Sequence, residues 1–116
     1  MPQAFSVCKV ENYNQVEWDR PFCFIGRTDE ECSLVCPTEA VPENCTARED
    51  GWRALRIQGT LDFSLIGILA RILALLAEQK IAIFVLSTYQ TDYILTKQEQ
   101  FQKALEVLAE NGYEIV

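Results

Sequence analysis

Residues 81–95 read IAIFVLSTYQTDYIL, and the way this stretch is parsed decides the fold. It opens with an uninterrupted apolar run from Ile81 to Leu86. A bilayer takes about 20 residues of helix, so the run is too short to span one; its length suits a strand buried on both faces. The stretch closes on Asp92–Thr96, a second strand with Tyr93 and Leu95 on one face and Ile94 and Thr96 on the other. Ser87–Asp92 must turn the chain between them, yet a turn selected for geometry alone favours Asn-Gly or Asp-Gly. This one carries the hydroxyls of Ser87, Thr88 and Thr91, the phenol of Tyr89 and the carboxylate of Asp92. Such a turn has chemistry to spare.

Outward from this hairpin the pattern stays regular. Trp52–Gln58 alternates as a strand, with Leu55 and Ile57 opposite Ala54 and Arg56. Gly59–Ser64 is a loop, with Asp62 or Ser64 available as a helix N-cap. Leu65–Glu78 predicts a helix whose apolar positions run almost all the way round, which asks for a second face to bury. Gln98–Asn111 predicts another, with Phe101, Ala104, Leu105 and Leu108 on one stripe and Gly112 as its stop. Tyr113–Val116 reads as a last short strand. The order over 51–116 is therefore βαββαβ, an α+β ferredoxin-like domain with both helices on one face of an antiparallel sheet.

Residues 1–50 read differently. Phe5–Val10, Phe22–Arg27 and Cys32–Cys36 predict strands, the last stopped by Pro37. Thr38–Gly51 reads as a linker holding at most one helical turn. The charge divides at the same place: 1–51 holds four Lys/Arg against ten Asp/Glu, and 52–116 six against seven. A truncated, strand-rich segment (1–50) followed by one complete domain (51–116) is the expected organisation.

A net charge of −7 disfavours nucleic acid and anionic membrane surfaces, both of which call for clustered Lys and Arg. Met1–Val10 lacks the apolar segment of a leader peptide, and Arg71 interrupts the most hydrophobic window, Leu65–Ala77. A soluble cytoplasmic protein is expected. Cys8, Cys23, Cys32, Cys36 and Cys45 fall in the first 45 residues with no Cys-x-x-Cys pair and no histidine in the chain, so buried inert thiols are favoured over a metal or redox site. With no histidine and no suitably spaced carboxylates, catalysis is not expected, nor is a cofactor.

Binding fits better. The loop ending at Gly67 leads into a helix N-terminus, whose free N–H groups and dipole favour a carboxylate. Asp92 suits an ammonium or guanidinium, with Thr88, Tyr89 and Thr91 beside it. Together they complement an amino acid. In the competing reading Asp92 caps the turn and the threonines merely satisfy the hairpin backbone. Gly67 in the first helical turn costs up to about 1 kcal/mol relative to alanine, which suggests close backbone approach by a ligand or a strand.

The runs Gly51–Leu55 and Gly59–Leu69 (GTLDFSLIGIL), and above all Ile83–Leu95 (IFVLSTYQTDYIL), resemble ACT-domain proteins of the group that includes the CASTOR arginine sensors. Asp29–Pro37 (DEECSLVCP) is similar to a second recurring stretch of that group. The resemblance implies a regulatory protein that is no enzyme, with ACT domains paired in a homodimer around a small ligand. By position, the pocket would use Ser64, Leu65, Ile66 and Gly67 together with Thr88, Tyr89 and Asp92, and the acid at 92 makes a cationic amino acid conceivable. A small interaction or assembly module without a ligand is the alternative.

Overall fold

The computed structural model describes residues 1–56 and 67–113. Its strands are β1 (Ala4–Val10), β2 (Phe24–Arg27), β3 (Cys32–Pro37), β4 (Cys45–Arg56), β5 (Ile83–Ser87) and β6 (Asp92–Lys97). Two helices, α1 (Ile68–Glu78) and α2 (Gln98–Glu110), and a 3₁₀ turn at Thr38–Ala40 complete the described elements. The chain divides into two units, Gln3–Trp52 and Arg53–Val116, the second including Met1–Pro2. β4 contributes to both. The expected final strand falls at 114–116, outside the described residues, as do Ile57–Gln58 and the loop Gly59–Ser64.

In the C-terminal unit the strand order is β4-β6-β5, with β5 and β6 antiparallel from Ile83↔Thr96 to Ser87↔Asp92. This is the ferredoxin-like α+β arrangement that the hydrophobic pattern predicts. Leu55, Ile94, Ile83 and Val85 on one sheet face pack with Ile72 and Leu76 of α1 and with Phe101, Ala104 and Leu108 of α2. On the opposite face Ala54 and Leu95 are almost fully buried, whereas Phe84, Leu86 and Tyr93 are half-buried. The apolar run of β5 is therefore not buried on both faces as expected. Among the described strands β5 ends the order, paired with β6 alone.

Both helices finish with the same device. In α1, Ile81 N–H donates to Leu76 C=O (3.1 Å) and Lys80 N–H to Ala77 C=O (2.9 Å). In α2, Tyr113 N–H donates to Leu108 C=O (3.0 Å) and Gly112 N–H to Ala109 C=O (3.1 Å). These are Schellman closures, and each brings the residue after the left-handed position back onto the core. Gly112 supplies the left-handed residue as expected (φ 86°), but in α1 that position is Lys80 (φ 58°). α1 starts at Ile68 and not at Leu65, with Gly67 as its N-cap in place of Asp62 or Ser64. Its buried stripe is Ile72 and Leu76; Ile68, Leu69, Leu73 and Leu75 are half-buried against the same cluster.

The N-terminal unit has the order β2-β3-β1-β4, with β1 and β2 both antiparallel to β3. Cys8 and Val10 of β1 and Leu34 and Cys36 of β3 form its core. Where a ferredoxin-like fold lays helices, residues 11–23 run as a loop: Val16 is buried in this core, and Tyr13 packs on it while its hydroxyl donates to Ser33 C=O (3.0 Å). The predicted linker needs correction, because β4 begins at Cys45. The polar run Thr46–Asp50 is exposed on its side chains but paired through its backbone. Gly51 inside this strand has φ 85°, a value that glycine tolerates and side chains disfavour.

Two substitutions in the C-terminal unit should move stability in opposite directions. Lys80→Gly relieves a left-handed residue and should raise the unfolding free energy by about 0.5–1 kcal/mol. Leu76→Ala should lower it by about 2–5 kcal/mol through loss of contacts and the cavity left behind. Urea denaturation followed by circular dichroism measures both.

Candidate functional site

The register of β5 and β6 fixes the site. Cross-strand partners share a face, so Ser87 and Asp92 continue the row of Val85↔Ile94 and Ile83↔Thr96, the row that meets the helices. At its end Ser87 Oγ donates to Asp92 Oδ1 at 2.5 Å. Asp92 is only 7% exposed. A carboxylate offers about four acceptor positions and this hydroxyl uses one. Among the described residues Asp92 has no ion-pair partner. Among the described residues, a buried carboxyl held by one hydroxyl keeps acceptor positions free.

The turn beyond it is built by Thr88. Its N–H donates to Thr91 C=O (2.8 Å), its hydroxyl donates to the same carbonyl (3.1 Å), and the hydroxyl oxygen accepts from Thr91 N–H (3.3 Å). The Thr88 hydroxyl is thus committed to the hairpin, as the competing reading holds for it. Tyr89, at the tip, is fully exposed. Of the four hairpin hydroxyls, the one that touches Asp92 belongs to Ser87. The candidate set from the sequence omits Ser87; the signal was there, since a two-residue turn at Tyr89-Gln90 makes Ser87 the cross-strand partner of Asp92.

Gly67 stands at φ 96°, ψ −8° as N-cap of α1, and its carbonyl accepts from Arg71 N–H (2.9 Å). A Cβ added there would meet nothing within 4 Å among the described residues. The left-handed backbone is by itself a reason for glycine here. Ser64, Leu65 and Ile66 lie outside the described residues. The short reversal Gln79–Ala82 joins α1 to β5, and both pack on one cluster. At about 1.5 Å per helical residue and 3.3 Å per strand residue, α1 and β5 each measure roughly 16 Å.

Other features are separate from this end. A groove of about 490 Å³ is lined by Met1, Arg53, Phe101, Leu105 and Ala109 and is mostly apolar. In the N-terminal unit all five cysteines belong to or pack on one core cluster, and all are free thiols. Cys8 stands opposite Leu34, and Cys36 opposite Ser6, so the two thiols are diagonal neighbours. Diagonal positions lie about 7–8 Å apart, wider than the roughly 4 Å between the Cβ atoms of a disulfide. Burial first, and then Cys36 and Cys45, push the Cys8 thiol up to about 12; burial leads at Cys36, up to about 11. Both stay protonated at neutral pH and are poor nucleophiles or metal ligands. Among the described residues no three His, Cys, Asp or Glu side chains gather as metal ligands, and no helix is long and apolar enough to cross a membrane.

Comparison with known proteins agrees with this geometry. The ACT-domain family model matches residues 47–110. A crystal structure of an Agobacterium tumefaciens protein superposes with a TM-score of 0.83 at 26% identity, covering 95% of this chain and 84% of that one. A Vibrio cholerae protein of unknown function gives 0.71 at 25% identity, with the same coverage of both chains. The aspartate kinase of Clostridium acetobutylicum, an allosteric enzyme, gives 0.68 at 12% identity over 97% of this chain and 33% of the kinase, a likeness of fold. No curated protein matches. That family model covers more than half of the chain, and the family is one of regulatory modules. The chain belongs to the ACT-domain family.

The thiol burial has a signed consequence. A folded pKa raised above the ordinary value of 9.0 gives stability that is full below about 9 and lost as pH climbs toward the folded values of about 11 and 12. The urea midpoint should fall between pH 9 and pH 11, and fall less in Cys8→Ala. Equal slopes in the two proteins would show that these thiols are not its source.

Proposed function

We propose that this chain is a regulatory protein that binds an amino acid at an ACT–ACT interface within a homodimer, in the manner of the group that includes the CASTOR arginine sensors. The observation that carries this reading is Asp92: a buried carboxylate with one hydroxyl partner, on the helix-facing row of an ACT domain. Burying such a group is costly unless a cation answers it, and an amino acid brings one. Its carboxylate would meet the N-terminal turn of α1 around Ser64–Gly67. Thr88 and Tyr89 would border the pocket, Thr88 through the turn it holds. The half-buried apolar residues of β5, at the end of the strand order, support pairing with a second copy. We place the protein in the cytoplasm, with neither nucleic acid nor membrane as partner, in keeping with its net charge of −7.

Tyr89, fully exposed at the tip, favours a second reading, in which the hairpin docks on another protein and no small ligand enters. A thermal-shift panel of the twenty amino acids separates the two. A ligand at a hundred times its Kd stabilises by about 2.7 kcal/mol, on the order of 10 °C for a domain of this size. Asp92→Asn should abolish the shift and stay folded. A silent panel, with Tyr89→Ala losing a pulled-down partner, would favour docking instead.

A further inference from the structure

The two hairpins of this chain are copies of one another. Phe24↔Val35 and Arg27↔Cys32 pair β2 with β3; sixty positions later, Phe84↔Leu95 and Ser87↔Asp92 pair β5 with β6 in the same register. Thr28 N–H donates to Glu31 C=O (3.0 Å), and Thr28 Oγ1 accepts from Glu31 N–H (3.1 Å). The Thr88–Thr91 closure repeats both bonds; the Thr88 hydroxyl donates to Thr91 C=O besides, and the Thr28 hydroxyl accepts from Glu30 N–H besides. Phe24 and Phe84, Thr28 and Thr88, and Glu39 and Glu99 are identical; Ile25/Val85, Leu34/Ile94 and Val35/Leu95 stay aliphatic. The 3₁₀ turn starts at Thr38, the counterpart of the first residue of α2, Gln98. The N-terminal strand order β2-β3-β1-β4 repeats β5-β6-β4 with one strand added. The connection 11–23 is half the length of 57–82, and a helix is what it lacks.

A copy within the chain acts as an internal control. What both hairpins share serves the fold; what one alone carries is free to serve something else. The turn threonine is shared, which removes the Thr88 hydroxyl from the ligand-contacting groups. The flanking pair is not shared. Where the C-terminal copy has Ser87 and a buried Asp92, the N-terminal copy has an exposed Arg27 and the thiol Cys32. A guanidinium in place of a hydroxyl, and a thiol in place of a carboxylate, reverse the electrostatics of the position.

We propose that the chain is a duplicated module in which only the C-terminal copy keeps ligand selection, with Ser87–Asp92 as the specificity-determining pair and Arg27–Cys32 its non-binding counterpart. Each chain then takes one amino acid. This rests on the amino-acid-binding reading given above.

Titration calorimetry with the twenty amino acids tests it, on the wild-type chain and on Asp92→Asn, Asp92→Glu, Arg27→Ala, Cys32→Ala, Thr28→Val and Thr88→Val. The expected result is one equivalent per chain for every amino acid that binds. Affinity should fall at least tenfold in Asp92→Asn, fall less in Asp92→Glu, and stay unchanged in Arg27→Ala and Cys32→Ala. Thr28→Val and Thr88→Val should lower Tm by similar amounts. Two equivalents per chain, unchanged binding in Asp92→Asn, or a tenfold loss in Arg27→Ala or Cys32→Ala would overturn the proposal while leaving amino-acid binding intact. A panel in which nothing binds overturns both readings.

Discussion

A threonine that closes a turn with its own side chain sets the register on which the C-terminal unit depends. Strand side chains alternate, so a slip of one residue between β5 and β6 would exchange the two faces of the hairpin. Ile83, Val85 and Ile94 would leave the helices, and Phe84, Leu86 and Tyr93 would replace them. Asp92 would go with the first set. The threonine closure keeps the apolar row under α1 and α2, and the same row ends on the carboxylate. Core packing and candidate chemistry are therefore one constraint read at its two ends.

The helices answer that constraint with a matching length. α1 reaches back along β5 because a tight reversal returns Ile81 to Leu76, which both anchors the helix C-terminus and fixes where its N-terminus lands. Gly67 then takes the left-handed conformation at the start of the helix.

Much of this was legible in the sequence because it rests on local signals. Alternation located β1, β3 and β6, helical spacing located α2, and Gly112 marked its end. β4 was missed in part because Thr46–Asp50 (TARED) is exposed and carries no large apolar residue, and its strand character comes from backbone pairing that no side-chain pattern records. The burial of β5 was overestimated because composition does not tell an end strand from a central one. Lys80 was unreadable as a helix stop, since tertiary packing of Ile81 holds it in a conformation its own type disfavours. At the site, Asp92 was legible by type. Ser87 was not, because its role follows from a register that depends on the turn.

β4 also bears on how such a chain could have changed over time. β4 runs unbroken from Cys45 to Arg56, across the residue where one unit gives way to the other. Recombination at that junction would strip β1 of a neighbour on one side and leave an orphaned strand start on the other. Gene-level shuffling would find no neutral place to cut there. A break inside β4 therefore costs more backbone pairing than a break in a loop such as 11–23 would.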